Sequence, residues 1–140
     1  MPHWMCRLSA AILLLPLLVI SASAQPLACS APLKPQQVAE LLLGRKIDDR
    51  LGVSEREFLN FLDHEITPRF PDGLTVYDAR GQWRDPKRNR IVREPSKVVM
   101  IVLPGKPEDM ARLTEIAEAY KKRFKQQSVG IVLRPACASF

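Results

Sequence analysis

A chain of 140 residues with 46% hydrophobic residues has length for one compact core and too much apolar content for a disordered tail. Its 21 Lys plus Arg against 15 Asp plus Glu give a formal net charge of +6, too mild an excess to call for nucleic acid as a partner.

The first 24 residues read as an export signal. Arg7 precedes an apolar run from Leu8 to Ile20, and Ala22-Ser23-Ala24 supplies the small-x-small pattern of a signal peptidase site. The run is short and contains Pro16, whereas a bilayer span needs roughly 20 residues, so no membrane attachment is expected after cleavage. The expected location is periplasmic or secreted. Residues 25–140 then carry Cys29 and Cys137, and in an oxidising compartment two such cysteines suggest a bridge. The alternative is lipidation of Cys29, which follows Pro26-Leu27-Ala28.

Residues 25–37 read as an N-terminal extension and 38–140 as a single α+β domain. Val38 to Gly44 is a short apolar run ending in glycine, the first predicted strand. Ser54 with Glu57 three residues on makes a capping box, and Val53 before it can staple onto Phe58. Phe58, Phe61, Leu62 and Ile66 recur at helical spacing, opposite Arg56, Asn60, Asp63 and His64, and Pro68 ends the helix. Leu74 to Asp78 is rich in strand formers, and Asp78-Ala79-Arg80-Gly81 predicts a bend or bulge before Gln82 to Arg84. A polar hairpin loop, Asp85 to Arg90, precedes a return strand from Ile91. That strand is expected to break at Pro95 and resume over Lys97 to Leu103. Pro107, with Glu108 and Asp109, opens a second helix whose expected buried stripe is Met110, Leu113, Ile116, Ala117, Tyr120 and Phe124. Val129 to Leu133 is the last strand.

The resulting order is the ferredoxin-like βαββαβ pattern, an antiparallel sheet in the order four, one, three, two with two helices on one face. There the start of the first strand lies beside the end of the last, which brings Cys29 and Cys137 together. Val98, Met100 and Val102 point to one face of the third strand, and Val99, Ile101 and Leu103 to the other. Leu42 opposes Leu41 and Leu43 in the same way. The face without helices needs cover, and a homodimer packed sheet to sheet is the expected solution. The alternative is that residues 25–37 fold across it.

The stretch Glu65-Ile66-Thr67-Pro68-Arg69-Phe70-Pro71-Asp72-Gly73-Leu74-Thr75-Val76, with Asp78-Ala79 and Gly81-Gln82-Trp83-Arg84, resembles the bacterial domain-of-unknown-function family 3574. The resemblance extends to Arg93-Glu94-Pro95-Ser96-Lys97, to Tyr120-Lys121 with Arg123-Phe124, to Gln126 with Ser128-Val129, and to Pro135-Ala136-Cys137. It departs at Leu41-Leu42-Leu43-Gly44, where an aromatic is expected before the glycine. The resemblance implies a small exported bacterial domain and assigns no activity.

Chemistry-bearing motifs are sparse. His64, between Asp63 and Glu65, is the only histidine after cleavage and reads as a surface residue. Without a second histidine or free thiols no zinc or other metal site is expected. No phosphate loop, dinucleotide fingerprint or GxSxG motif is present, and no cofactor is expected. Asp72 and Asp78 flank a strand and read as turn residues that bond their own backbone. Three basic groups are the stronger lead: Arg45, Lys46 and Arg50; Arg84, Lys87, Arg88 and Arg90; and Lys121, Lys122, Arg123 and Lys125. The topology brings all three to one end of the sheet, near Trp83 and Tyr120. Arg45, Arg84 and Arg123 are therefore the expected contacts to a small anionic ligand, with Trp83 against its apolar part. Two functional readings follow. The preferred one is a non-catalytic module for a small ligand or a partner. The alternative is a cofactor-free enzyme with a pocket between sheet and helices of a ferredoxin-like dimer, using Asp78, Glu94 or Tyr77 as a perturbed acid.

Overall fold

The computed structural model describes residues 28–48 and 50–140, so the export signal and its cleavage site lie outside the described residues. Four long strands, β1 (Lys34–Gly44), β4 (Thr75–Asp85), β5 (Arg90–Val102) and β6 (Gly130–Ala138), form one antiparallel sheet in the order β4-β5-β1-β6. A small hairpin, β2 (Lys46–Ile47) with β3 (Arg50–Leu51), intervenes before the first helix, α1 (Glu55–Phe61). The second helix, α2 (Asp109–Phe124), lies between β5 and β6. The architecture is α+β.

The capping box at α1 is formed: the Glu57 amide donates to Ser54 Oγ, and the Ser54 amide donates to Glu57 Oε2. The Ser54 side chain and then its backbone amide hold the Glu57 carboxyl below its usual pKa. The helix does not continue unchanged to Pro68, because Leu62–Ile66 widens into π-helical geometry with the Thr67 amide bonded to the Leu62 carbonyl.

Three strand expectations are corrected. The second long strand runs unbroken through Asp78 to Gly81, because each of these residues has a cross-strand partner in β5, from Lys97 to Glu94. Pro95 does not interrupt β5. Its carbonyl accepts from the Arg45 amide on the β1 side, so its missing donor falls on that side too, just beyond the last β1 pair at Gly44 and Ser96. β1 starts at Lys34, four residues before Val38, because β6 extends to Ala138 and pairs with that earlier segment. Cys29 and Cys137 form a disulfide with Cα atoms 5.7 Å apart.

The core lies between one face of the sheet and the helices. Leu41, Leu43, Val99 and Ile101 meet Phe58, Phe61, Ile66, Leu113, Ile116 and Tyr120 there, all 0–1% exposed. Leu43, where the sequence resemblance leads one to expect an aromatic, is part of this core. Phe61 contacts Tyr120 and Phe124 edge-on, with ring centroids 5.1 and 5.7 Å apart. Met110, expected in the buried stripe, is exposed. The 3.6-residue period carries the stripe from Leu113 back to Asp109, whose Oδ2 accepts the Lys106 amide. Among the described residues no helix is long and apolar enough to cross a membrane.

Candidate functional site

Register places a shallow cleft of about 190 Å³ on the face of the sheet opposite the helices, where β1 ends and β4 and β5 continue. Gly81 faces Glu94 across β4 and β5, and Gly44 faces Ser96 across β1 and β5. Trp83 borders the cleft on one side, and Gln126, Gln127 and Ser128 from the loop after α2 border it on the other. Glu94 is half-buried at its centre. Its Oε1 accepts from Trp83 Nε1 at 2.8 Å and its Oε2 from the Lys46 amide at 2.9 Å. Among the described residues no cation pairs with this carboxylate.

The two glycines make the room. A Cβ on Gly44 would lie 2.7 Å from both Glu94 carboxylate oxygens, and one on Gly81 would lie 2.7 Å from Ser96 Oγ. A glycine inside a strand marks such a close approach. Tyr120 fixes Gly44 from the helix side, its hydroxyl donating to the Gly44 carbonyl at 2.9 Å. Burial holds the Tyr120 phenol far above its usual pKa. Gln126 Nε2 donates to the Lys46 carbonyl at 2.7 Å and ties the loop after α2 to the same corner.

The basic segments emerge at this end of the sheet, but the structure gives the three arginines separate partners. Arg45 is buried. Its Nε donates to the Val53 carbonyl and its Nη1 pairs with Glu55 at 3.0 Å, so it pins the start of α1. Arg84 bonds Asn89 Oδ1 within the hairpin, and Arg123 bonds Asn60 Oδ1 while lying over the rings of Phe61 and Phe124. Trp83 and Arg84 are successive strand residues, so their side chains leave opposite faces. Tyr120, read as a flat contact near this end, is fully buried in the core.

The three candidate acids also separate. Asp78 is exposed and pairs with Lys97 Nζ at 2.6 Å; that hydrogen bond and the ammonium charge hold its carboxyl below the usual range. Tyr77 lies on the open face, with its hydroxyl 3.7 Å from Met100 Sδ. Of the three, Glu94 alone lines a cleft. His64 is exposed, its Nδ1 2.8 Å from the Asn60 carbonyl. A larger cavity of about 540 Å³ lies at the other end of the same face, among Gln36, Thr75, Met100, Val102 and Phe140.

The model of the family described as "Protein of unknown function (DUF3574)" matches residues 38–140, from the centre of β1 through Cys137 to Phe140. The chain belongs to this family. No curated protein matches it. A phage SAM lyase in complex with S-methyl-5'-thioadenosine is similar in fold, at a TM-score of 0.61 with 16% identity, covering 75% of this chain and 90% of that one. The apo state of a phage SAM lyase has a TM-score of 0.56 at 17% identity, covering 76% and 90%. CutA from Synechococcus elongatus has a TM-score of 0.48 at 7% identity, covering 76% and 86%.

Proposed function

We propose that this family member is an exported, disulfide-closed module that binds a small ligand in the cleft around Glu94 and Trp83. Its frame is read as a ferredoxin-like βαββαβ unit with the β2–β3 hairpin inserted before α1. Export rests on the N-terminal apolar run and is supported by the disulfide.

The observation that carries the reading is the half-buried Glu94 carboxylate, held by two neutral N–H donors above glycines that leave it space. Each oxygen retains a lone pair for a further donor, and among the described residues no cation pairs with the carboxylate. Beside it the Trp83 indole offers a flat apolar contact. The fitting ligand is a small molecule with an ammonium or hydroxyl group for Glu94 and a flat part for Trp83. Arg84 and Arg123 bond neutral amide oxygens and keep guanidinium charge for an anionic group, whereas Arg45 is engaged with Glu55.

After cleavage Trp83 is the sole tryptophan, because Trp4 precedes Ala24. Its fluorescence, titrated with arylalkylamines, which are ammonium ions at neutral pH, and with their N-acetylated counterparts, tests the reading. The amines are expected to shift the emission and the acetylated forms to act more weakly, with the difference lost in Glu94→Gln. Equal responses in the parent protein and Glu94→Gln would overturn it. Incubation with SAM, followed by chromatography for its loss, tests the enzyme reading separately.

A further inference from the structure

We propose that the open face of the sheet is the contact between two copies of this chain. Tyr77, Val98 and Leu42 form one row across β4, β5 and β1, and Met100, Glu40 and Val132 form the next across β5, β1 and β6. Leu42, Tyr77 and Val132 are 42%, 45% and 40% exposed. A contiguous apolar strip of this kind on an isolated domain marks an interaction surface.

Charge and chain length both favour a second copy as the occupant. Glu40 and Arg134 pair at 3.0 Å on this face, beside the apolar rows and apart from Glu94 in the cleft. Such a pair is complementary to itself: about a two-fold axis, Glu40 of each copy can meet Arg134 of the other. Most of the described residues near this face are already engaged elsewhere. Lys34 to Gln37 already belong to β1, the disulfide ties the preceding segment to β6, and β6 ends two residues before Phe140. Cleavage after Ala24 leaves residues 25–27 as the remainder. The eleven paired rows of β4–β5 and nine of β1–β6 give a flat footprint of roughly 650 Å² from standard strand spacings. Side chains standing above it bring this toward the roughly 800 Å² per partner of a stable pair. Leu42 and Ser96 lie on this face and also line the Glu94 cleft, so a second copy would narrow its mouth.

The test uses the mature, oxidised protein at tens of micromolar. Light scattering is expected to give twice the chain mass. Val132→Glu is expected to give the single-chain mass with unchanged far-UV circular dichroism. Glu40→Arg should raise the dissociation constant about tenfold or more, and adding Arg134→Glu should restore it. A single-chain mass for the parent protein, an assembly of another number, or failure of the double exchange to recover the loss would overturn the proposal. The parent mass and the exchange of two part-exposed charges decide it even if Val132→Glu does not fold.

Discussion

Leu41 and Leu42 are neighbours in β1 with the same side chain, yet Leu41 is fully buried beneath the helices and Leu42 is 42% exposed on the other face. The two faces treat charge as differently as they treat leucine. On the helix face Lys97 is buried and meets Glu55 at 2.8 Å and Asp78 at 2.6 Å, with its ammonium 5.2 Å from the Phe58 ring centroid. On the open face Glu94 is held in place by neutral donors. A cation saturated by two carboxylates braces α1 and β4 against the sheet. A carboxylate positioned without a counter-charge among the described residues is a group with chemistry to spare, which is why the candidate site is placed on the open face.

The largest effect expected comes from the bridge, which holds the β1–β6 edge shared by both faces. Cys29 and Cys137 close a loop with a sequence separation of 108, and replacing both with Ser should cost about 4–5 kcal/mol on chain-entropy grounds. Urea unfolding of the oxidised and Ser-substituted proteins measures it, and a loss below about 1 kcal/mol would contradict that estimate. The leucine pair separates the faces themselves. Leu41→Ala should cost about 2–5 kcal/mol by opening a cavity under the helices. Leu42→Ala, measured on dilute protein, should cost less than about 1 kcal/mol. Comparable losses would mean that the open face is packed as tightly as the core.

The contrast between faces was legible in the alternation of Val98 to Leu103, because strand parity is a local property. The capping box at Ser54 and Glu57 was local too. The straight path through Asp78 to Gly81 and Pro95 was not. Turn propensity is weak against a continuous ladder, and the harmlessness of Pro95 depends on β1 having ended one pair earlier. The widened turn at Leu62–Ile66 had no sequence signal that we identify. At the site, Trp83 and Glu94 were each readable as candidates, but their hydrogen bond depends on cross-strand register. Gly44 and Gly81 were read as a strand end and a turn. Glycine inside a strand pattern was the available clue to a close approach of another group. Arg45 was legible as basic, but its burial follows from the chain crossing that places Val53 and Glu55 beside it.

An intermediate effect is expected where the open face is made deliberately too crowded. Gly44→Ala puts a methyl group 2.7 Å from both Glu94 oxygens, so the carboxylate must swing away from Trp83 Nε1 and the Lys46 amide. Breaking these bonds should cost about 1–3 kcal/mol and shift Trp83 emission without any ligand present. A crystal structure or an emission spectrum unchanged from the parent would show that the cleft is not built around this carboxylate.

The smallest effect is expected from the charge network on the helix face. Lys97→Met removes a buried cation and leaves Glu55 with Arg45 and Asp78 largely in water, so stability at neutral pH should stay within about 1 kcal/mol. The pH profile should change more visibly. The hydrogen bond and charge of Lys97 lower the Asp78 pKa in the folded protein. The contribution of Asp78 is therefore present above its unfolded value and lost as the pH falls through the lower folded value. Burial pushes the Lys97 pKa down, but its bonds to Asp78 and Glu55 outweigh burial and leave it raised. Its contribution is complete below its unfolded value and lost as the pH rises through the folded one. Lys97→Met should therefore flatten the decline of stability with acid and the decline at strongly alkaline pH, while the neutral plateau barely moves. Denaturant unfolding from pH 2 to 11 measures both limbs. An acid limb as steep in Lys97→Met as in the parent would mean that the acid sensitivity arises elsewhere and that the Lys97 network is packing rather than electrostatic bracing.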